Sequence, residues 1–594
     1  MKDGSYSMCG FNNRKNWALL ILVTAISAIL NFYGLDIGLP SQERLELGLG
    51  GQTVVKQKLP ELQNAIDSNL AEQSEFIDKS NPDNLRELAR LSPYFDQVRS
   101  FNPDEFYVFK VLTGMYQNKD PRPNSYIYGS FFFYQMGAPL VVARLTNYID
   151  GFASSGHYLL HPEEVRPFYM SSRALCALFQ TLSVSVLFLI GWRISGLFMA
   201  WFSASLMATL PLVVVGAKFI KPDSPALFWS TLALFFAIPI LKRARWFDYI
   251  ASGVCVGLAA ATKYPAVFSF SYIIMFHLLR RHGELNSWRA LRFSKDEGFL
   301  AGAFGASIAT GIVFSLPMLF NLPVFITSFE YIINSSRSGN VFSNFIDTVL
   351  NYGHDAFFLT YGIPAALAIG AGKIIALLVK PQKIWWGMVP AIVFFFYSAT
   401  KGMPTSDMYT LPAVPALCLF AGYALSLLRR NSWRFIISAV VIISTFSYSL
   451  AYLQCISHEN VRLTAARWIN QNIPAKSSIG SIFYPVSYRT PMVSPERYQF
   501  VSREINGDRA YHTDYFVNSY FTVENRPFWQ RITAGENLAP PAQYHYQLIK
   551  EFEDLPRAFF GLLPLQRKYR INFYFEIIRP KIAIYQKERG DFNH

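Results

Sequence analysis

Two adjacent carboxylates, Asp104 and Glu105, follow a proline in the stretch FNPDEFYVFK. Residues of this type can take a proton from a hydroxyl held within hydrogen-bond reach, or offer hard oxygen atoms to a divalent cation such as Mg²⁺ or Mn²⁺. The plainer reading is a helix start, because proline suits the first helical position and the positive end of the helix dipole stabilises acidic side chains there. Further ionisable residues stand at the ends of apolar runs: Arg173, Lys221, Asp223, Lys263, His354 and Lys401. For a lysine or arginine in such a place the plain alternative is a side chain that snorkels to a membrane surface. For Asp223 in KPDSP and for His354 in NYGHDAFF it is a helix start or cap.

What must position these residues is a set of membrane helices. Of 594 residues, 52% are hydrophobic and 16% aromatic, only 16% are charged, and the mean hydropathy is +0.20, far from an average soluble chain. With about 20 apolar residues per span as the ruler, eleven spans are expected near 17–35, 172–192, 196–217, 224–242, 248–263, 265–280, 299–320, 356–379, 384–400, 410–428 and 433–454. Pro265 should break the chain between two of them. The formal net charge of +14 does not point to nucleic acid, because Lys and Arg gather in short stretches between spans rather than along one face.

Those stretches alternate. Arg14 and Lys15, Arg193, Lys242 to Arg245, Arg280 to Lys295, Lys380 and Lys383, and Arg429 to Arg434 occupy every second connection, which the positive-inside rule makes cytoplasmic. The loop 36–171, the turns near 218–223 and 263–265, the loop 321–355, the turn 401–409 and the tail then face the periplasm or exterior of a bacterial inner membrane. So do all the ionisable residues singled out above. The five cysteines form no CxxC pair or disulfide framework.

Four regions are expected: 1–35, the N-terminus and first span; 36–171, a long outer loop; 172–454, spans 2–11; and 455–594, a small α/β or α+β domain. In the loop, surface helices and a membrane-grazing helix near 126–145 are expected. In the tail, RLTAARWINQNIP reads as helix and SSIGSIFYP and KIAIYQK read as strands. The fold class is thus a mainly α membrane protein of about eleven transmembrane helices with a small C-terminal α/β or α+β domain.

Taken in order, FNPDEFYVFKVL, KDPRPNSYIYGSFFFYQMG, FYMSSRALCAL, KFIKPDSPALF, GLAAATKYPAV and YTLPAVPAL resemble the GT-C superfamily of integral-membrane glycosyltransferases. The likeness is strongest to the protein mannosyltransferase and aminoarabinose-transferase type. Each motif is unspecific alone, and the likeness lies in their order and topological side. It implies a catalytic Asp104, with Glu105 beside it, and contacts to donor or acceptor from Arg173, Lys221, Asp223 and Lys263. It also implies a sugar donor carried on a polyprenyl phosphate, whose phosphate is the leaving group, and a lipid, glycan or protein acceptor. One base and one displacement would invert the anomeric centre, and a leaving phosphate calls for positive charge nearby.

The chain departs from the pattern at Met408-Tyr409, where relatives commonly carry Arg-Tyr; Lys401 is the expected substitute. His354 is a further candidate contact. A metal ligand set is not legible; Asp104, Glu105, Asp223 and His354 all lie on the outer side, so a divalent cation is compatible with the sequence. Glu43, in the segment 40–98, is read as a capping or surface residue. The rival function is a transporter or flippase of polyprenyl-linked glycans, which would typically show repeated halves and ionisable residues at mid-membrane. Neither is evident in the sequence.

Overall fold

The computed structural model describes residues 14–67, 82–149, 153–281, 295–334, 361–401, 407–483, 486, 490–519, 539–559, 561–564 and 580–588. Helix dominates. α1 spans Arg14–Phe32, and the following region carries α2 (Gln42–Leu49), α3 (Gln52–Asp67), α4 (Pro82–Phe95), α5 (Pro103–Gln117), α6 (Ser130–Leu145) and α7 (Ser155–Leu160). The bundle continues with α8 (Arg166–Ser195), α9 (Leu197–Thr209), α10 (Pro211–Gly216), α11 (Asp223–Ala237), α12 (Trp246–Thr262), α13 (Phe270–Arg281), α14 (Lys295–Leu319) and α15 (Leu322–Asn334). It closes with α16 (Ile363–Ile374), α17 (Val389–Lys401), α18 (Val414–Ser426) and α19 (Asn431–Ser457).

Where their residues are described the expected spans coincide with helix, positions 356–360 of the eighth lying outside the described residues, but length divides them. Among the described residues, six helical stretches are long and apolar enough to cross a membrane: Arg14–Phe32, Pro162–Ser195, Asp223–Leu241, Lys295–Leu319, Met408–Ser426 and Asn431–Asn472. The remaining spans are shorter apolar helices, so a multi-pass protein is established and the figure of eleven is not. The break at Pro265 is present: α12 stops at Thr262, Lys263 is extended (φ −146°, ψ 117°), and a 3₁₀ turn over Tyr264–Ser269 precedes α13. The region 321–355, expected as a loop, begins with α15, an apolar helix whose Ser328 hydroxyl accepts from the Tyr126 N–H at 3.1 Å.

Between helices in lipid, apolar burial supplies little drive, and close backbone approach through small residues supplies more. α12 carries Gly253 and Gly257 one turn apart, facing Ala303, Ser307 and Thr310 of α14. A Cβ at Gly253 would stand 2.3 Å from the Ala303 carbonyl oxygen, and one at Gly257 2.6 Å from that of Ser307. The opposite side of α14 is apolar and exposed, with Phe304, Val313 and Leu319 more than half accessible, as a lipid-facing helix requires.

The tail begins with α20 (Val461–Asn472), the helix expected from RLTAARWINQNIP. Its apolar face packs on a sheet of β1 (Ser478–Ser481), β2 (Gln499–Ser502), β3 (Tyr515–Ser519), β4 (Tyr546–Phe552) and β7 (Ile582–Lys587); β5 (Arg557–Ala558) and β6 (Leu563–Pro564) form a separate two-residue ladder. The order is β2-β1-β3-β7-β4, with β1 parallel to β2 and β3, and β7 antiparallel to β3 and β4. Strands β1 and β7 are the two segments read as strand from their alternation.

Candidate active site

Asn102 caps α5 by accepting from the Asp104 N–H at 3.1 Å, and Pro103 opens the first turn. The Asp-Glu step is therefore a helix start, as the plain reading has it, and the same geometry sends the two carboxylates to opposite circumstances. Glu105 is fully buried. One of its oxygens accepts from Arg173 Nε and from the Ile220 N–H, both at 2.8 Å; the other accepts from Arg173 Nη2 and Ser100 Oγ, both at 2.5 Å. Arg173, also fully buried, gives its remaining terminal nitrogen to the carbonyls of Leu35 at 2.5 Å and Ile37 at 2.8 Å.

Two of the residues singled out from sequence are thus engaged within the fold. Arg173 has its guanidinium committed to Glu105 and two carbonyls and does not present it to a ligand. Glu105 has four donors on two oxygens and no open lone pair on a reachable face, so it is poorly placed to receive a substrate proton. Together they fasten α5 to α8, to the segment after α1 and to the turn before α11.

Asp104, by contrast, is 39% exposed and pairs with Lys221, which is 10% exposed. Two residues on, Asp223 opens α11 and pairs with Lys263 at 2.5 Å, with both side chains largely buried. The Lys263 ammonium also lies 4.2 Å from the centroid of the Tyr409 ring, a cation–π contact. Four of the residues singled out from sequence thus form a row of two ion pairs, Asp104–Lys221 and Asp223–Lys263, joined through the turn 221–223 and ending on Tyr409. At the Met408-Tyr409 departure the tyrosine supplies this ring, and the position where an arginine was expected holds a buried methionine. Lys401 closes α17, and nothing is described of its side chain; His354 lies outside the described residues.

Lys218 also stands at the outer end of an apolar run. It is buried and donates to the Leu30 carbonyl at 2.5 Å and the Asn31 carbonyl at 2.8 Å, closing the end of α1; burial pushes its ammonium down to about 7. Glu43 pairs with Arg467 on the surface, beside Glu459. No carboxylate of the row belongs to a metal-like cluster among the described residues; the group that does is His161, Glu163 and Glu164.

Two supports were not legible. The Tyr264 hydroxyl donates to the Tyr126 carbonyl at 2.8 Å, and Gly129 N–H to the Thr262 carbonyl at 3.3 Å. The aromatic segment before α6 and the TKY turn are therefore one contact, which gives the order of those motifs a physical cause. The other is Phe101, whose ring is flanked by the buried guanidinium groups of Arg44 at 4.5 Å and Arg462 at 4.6 Å. Arg462 belongs to α20, so the tail reaches the residue three places before Asp104.

The two ion pairs thus stand together at the ends of apolar helices. Residues 122–333, about a third of the chain, match the family described as dolichyl-phosphate-mannose-protein mannosyltransferase. No curated protein matches the chain. Among solved structures it is similar to ArnT from Cupriavidus metallidurans in the apo state, at 17% identity over 62% of this chain and 67% of that one, TM-score 0.41. The same protein bound to undecaprenyl phosphate matches at 13% identity over 96% of this chain and 98% of that one, TM-score 0.42. The mycobacterial arabinofuranosyltransferase AftD matches at 13% identity over 73% of this chain and 36% of that one, TM-score 0.31. These are distant likenesses.

Proposed function

We propose that the protein is an inverting glycosyltransferase that moves a sugar from a polyprenyl-phosphate donor to a lipid, glycan or protein acceptor at the outer face of a bacterial inner membrane. The observation that carries this reading is the Asp104–Lys221 pair, a carboxylate base held by the cation that a phosphate would attract. When donor phosphate enters, Lys221 has a second anion to pair with, and Asp104 is released toward the acceptor. The acceptor hydroxyl then gives its proton to Asp104 while its oxygen bonds to the anomeric carbon. The carbon–oxygen bond to phosphate breaks, and the electron pair stays on the phosphate, where Lys221 and Lys263 offset the charge.

In this reading Glu105 and Arg173 are positioning residues, Asp223 holds Lys263, and the sheet-bearing tail from about 455 steadies the site through Arg462. No divalent cation takes part, since the carboxylates of the row already face lysines. The test is transfer from a panel of radiolabelled polyprenyl-phosphate sugars in membranes carrying equal amounts of wild type, Asp104→Asn, Lys221→Gln and Lys263→Gln. Loss in Asp104→Asn, with a raised donor KM in the lysine variants, is expected. Full activity in Asp104→Asn overturns the assignment, and lipid translocation without transfer favours the transporter.

A further inference from the structure

A cavity of about 550 Å³ lies along α5, bounded by the loop after α5, by α7 and by the start of α8. It begins at Phe106, two residues from Asp104, yet none of the row's four charged residues lines it. We infer that this cavity is a binding site for an anionic saccharide, one sugar ring or two bearing a phosphate or carboxylate.

Three properties of the wall converge on that class. It carries two cations, Arg99 and Lys110, and no Asp or Glu among the described residues, so its charge balance favours an anion. Arg99 is held with its guanidinium 4.4 Å from the centroid of the Phe106 ring, and its buried Nε–H has no hydrogen-bond partner among the described residues. Asp96 engages only one of its terminal nitrogens, at 3.4 Å. Nε is turned away from the open space, and it is the second terminal nitrogen of this fixed, planar guanidinium that can meet a carboxylate or phosphate oxygen. Seven aromatic rings also line the space, including Phe106 and Tyr158. Ring faces are electron-rich and meet the C–H edges of a sugar, while Asn118 and its amide neighbours supply directional hydrogen bonds. The volume falls within the range of small-molecule sites. An acyl chain would use the rings and leave the amides and Arg99 unmet. That this saccharide is the acceptor rests on the transferase reading; that the cavity binds it does not.

Gly114 offers the test. It lines the cavity, and a Cβ built on it meets nothing within 4 Å, so a large side chain there grows into the space without displacing the helix. Purified full-length protein in nanodiscs is titrated by calorimetry with trehalose 6-phosphate, trehalose and inorganic phosphate. The disaccharide phosphate is expected to bind about tenfold or more tighter than either component. Gly114→Phe and Arg99→Gln should each weaken it by about tenfold, whereas Gly114→Ala should change it less than about threefold. Asp104→Asn should bind as wild type, which separates this site from the transfer reaction: binding kept with no transfer in any protein sinks the proposed activity and leaves the site standing. Equal affinity for phosphate alone, displacement of the ligand by phosphatidylglycerol in the disc, or unchanged binding in Gly114→Phe overturns it.

Discussion

Substituting Glu105 by Gln leaves the shape of the side chain and removes its charge. In the fold that carboxylate receives four donors, two from Arg173, one from the Ile220 amide and one from Ser100. A carboxamide has one acceptor oxygen, so its NH2 must face two of those donors, and Arg173 becomes a buried cation without a counter-charge. Removing one partner of a buried pair costs roughly 3–5 kcal/mol. Asp104→Asn breaks a partly exposed pair, for which about 0–1 kcal/mol applies, but removes the base, for which about 10²- to 10⁴-fold in rate applies. The two substitutions should therefore separate. Glu105→Gln lowers the thermal unfolding temperature in detergent and loses transfer in proportion to folded protein, whereas Asp104→Asn unfolds like wild type and loses transfer per folded molecule. The double variant Glu105→Gln/Arg173→Met should recover part of the stability lost in Glu105→Gln. A Glu105→Gln protein that is as stable as wild type and inactive would refute the division of labour and make Glu105 the chemical group.

Gly129→Ala would set a Cβ 2.0 Å from the Ala261 carbonyl oxygen; a cost of about 3 kcal/mol or more is expected, read as a lower unfolding temperature with an unchanged donor KM in the protein that remains. Lys218, pushed down to about 7 by burial, binds its proton less readily folded than unfolded. The stability of wild type relative to Lys218→Met should thus rise with pH from about 7 toward 10, by about 1 kcal/mol per unit, and a flat difference over that window contradicts the burial account. Transfer should persist in EDTA, because Asp104 and Asp223 each face a lysine; loss that added Mg²⁺ or Mn²⁺ restores would require a metal at the row.

Much of the helical plan was written in hydropathy, since a span must satisfy its backbone internally and cover it with apolar side chains over a fixed thickness. Pro265 and the alternating segments of the tail were readable for the same local reason. α15 was not, because a largely apolar helix of thirteen residues falls below the length of a span and looks like a loop. At the site, types and order pointed to Asp104, Lys221, Asp223 and Lys263, which the fold joins in one row. Glu105 and Arg173 carry the same types and differ only in burial, a property of partners far away in sequence such as Leu35 and Ile220. The same blindness hid Arg44 and Arg462, which look like surface residues of polar helices until Phe101 is found between them.

That last contact has a consequence for the order in which the protein comes to life. Phe101 emerges from the ribosome early and Arg462 only after the final span, because domains form as synthesis proceeds from the N-terminus. Until α20 docks, the segment leading into Asp104 lacks one of its two flanking guanidiniums. A chain cut or stalled before residue 460 should insert its spans yet leave the segment before Asp104 without the contact that fixes it from the far side.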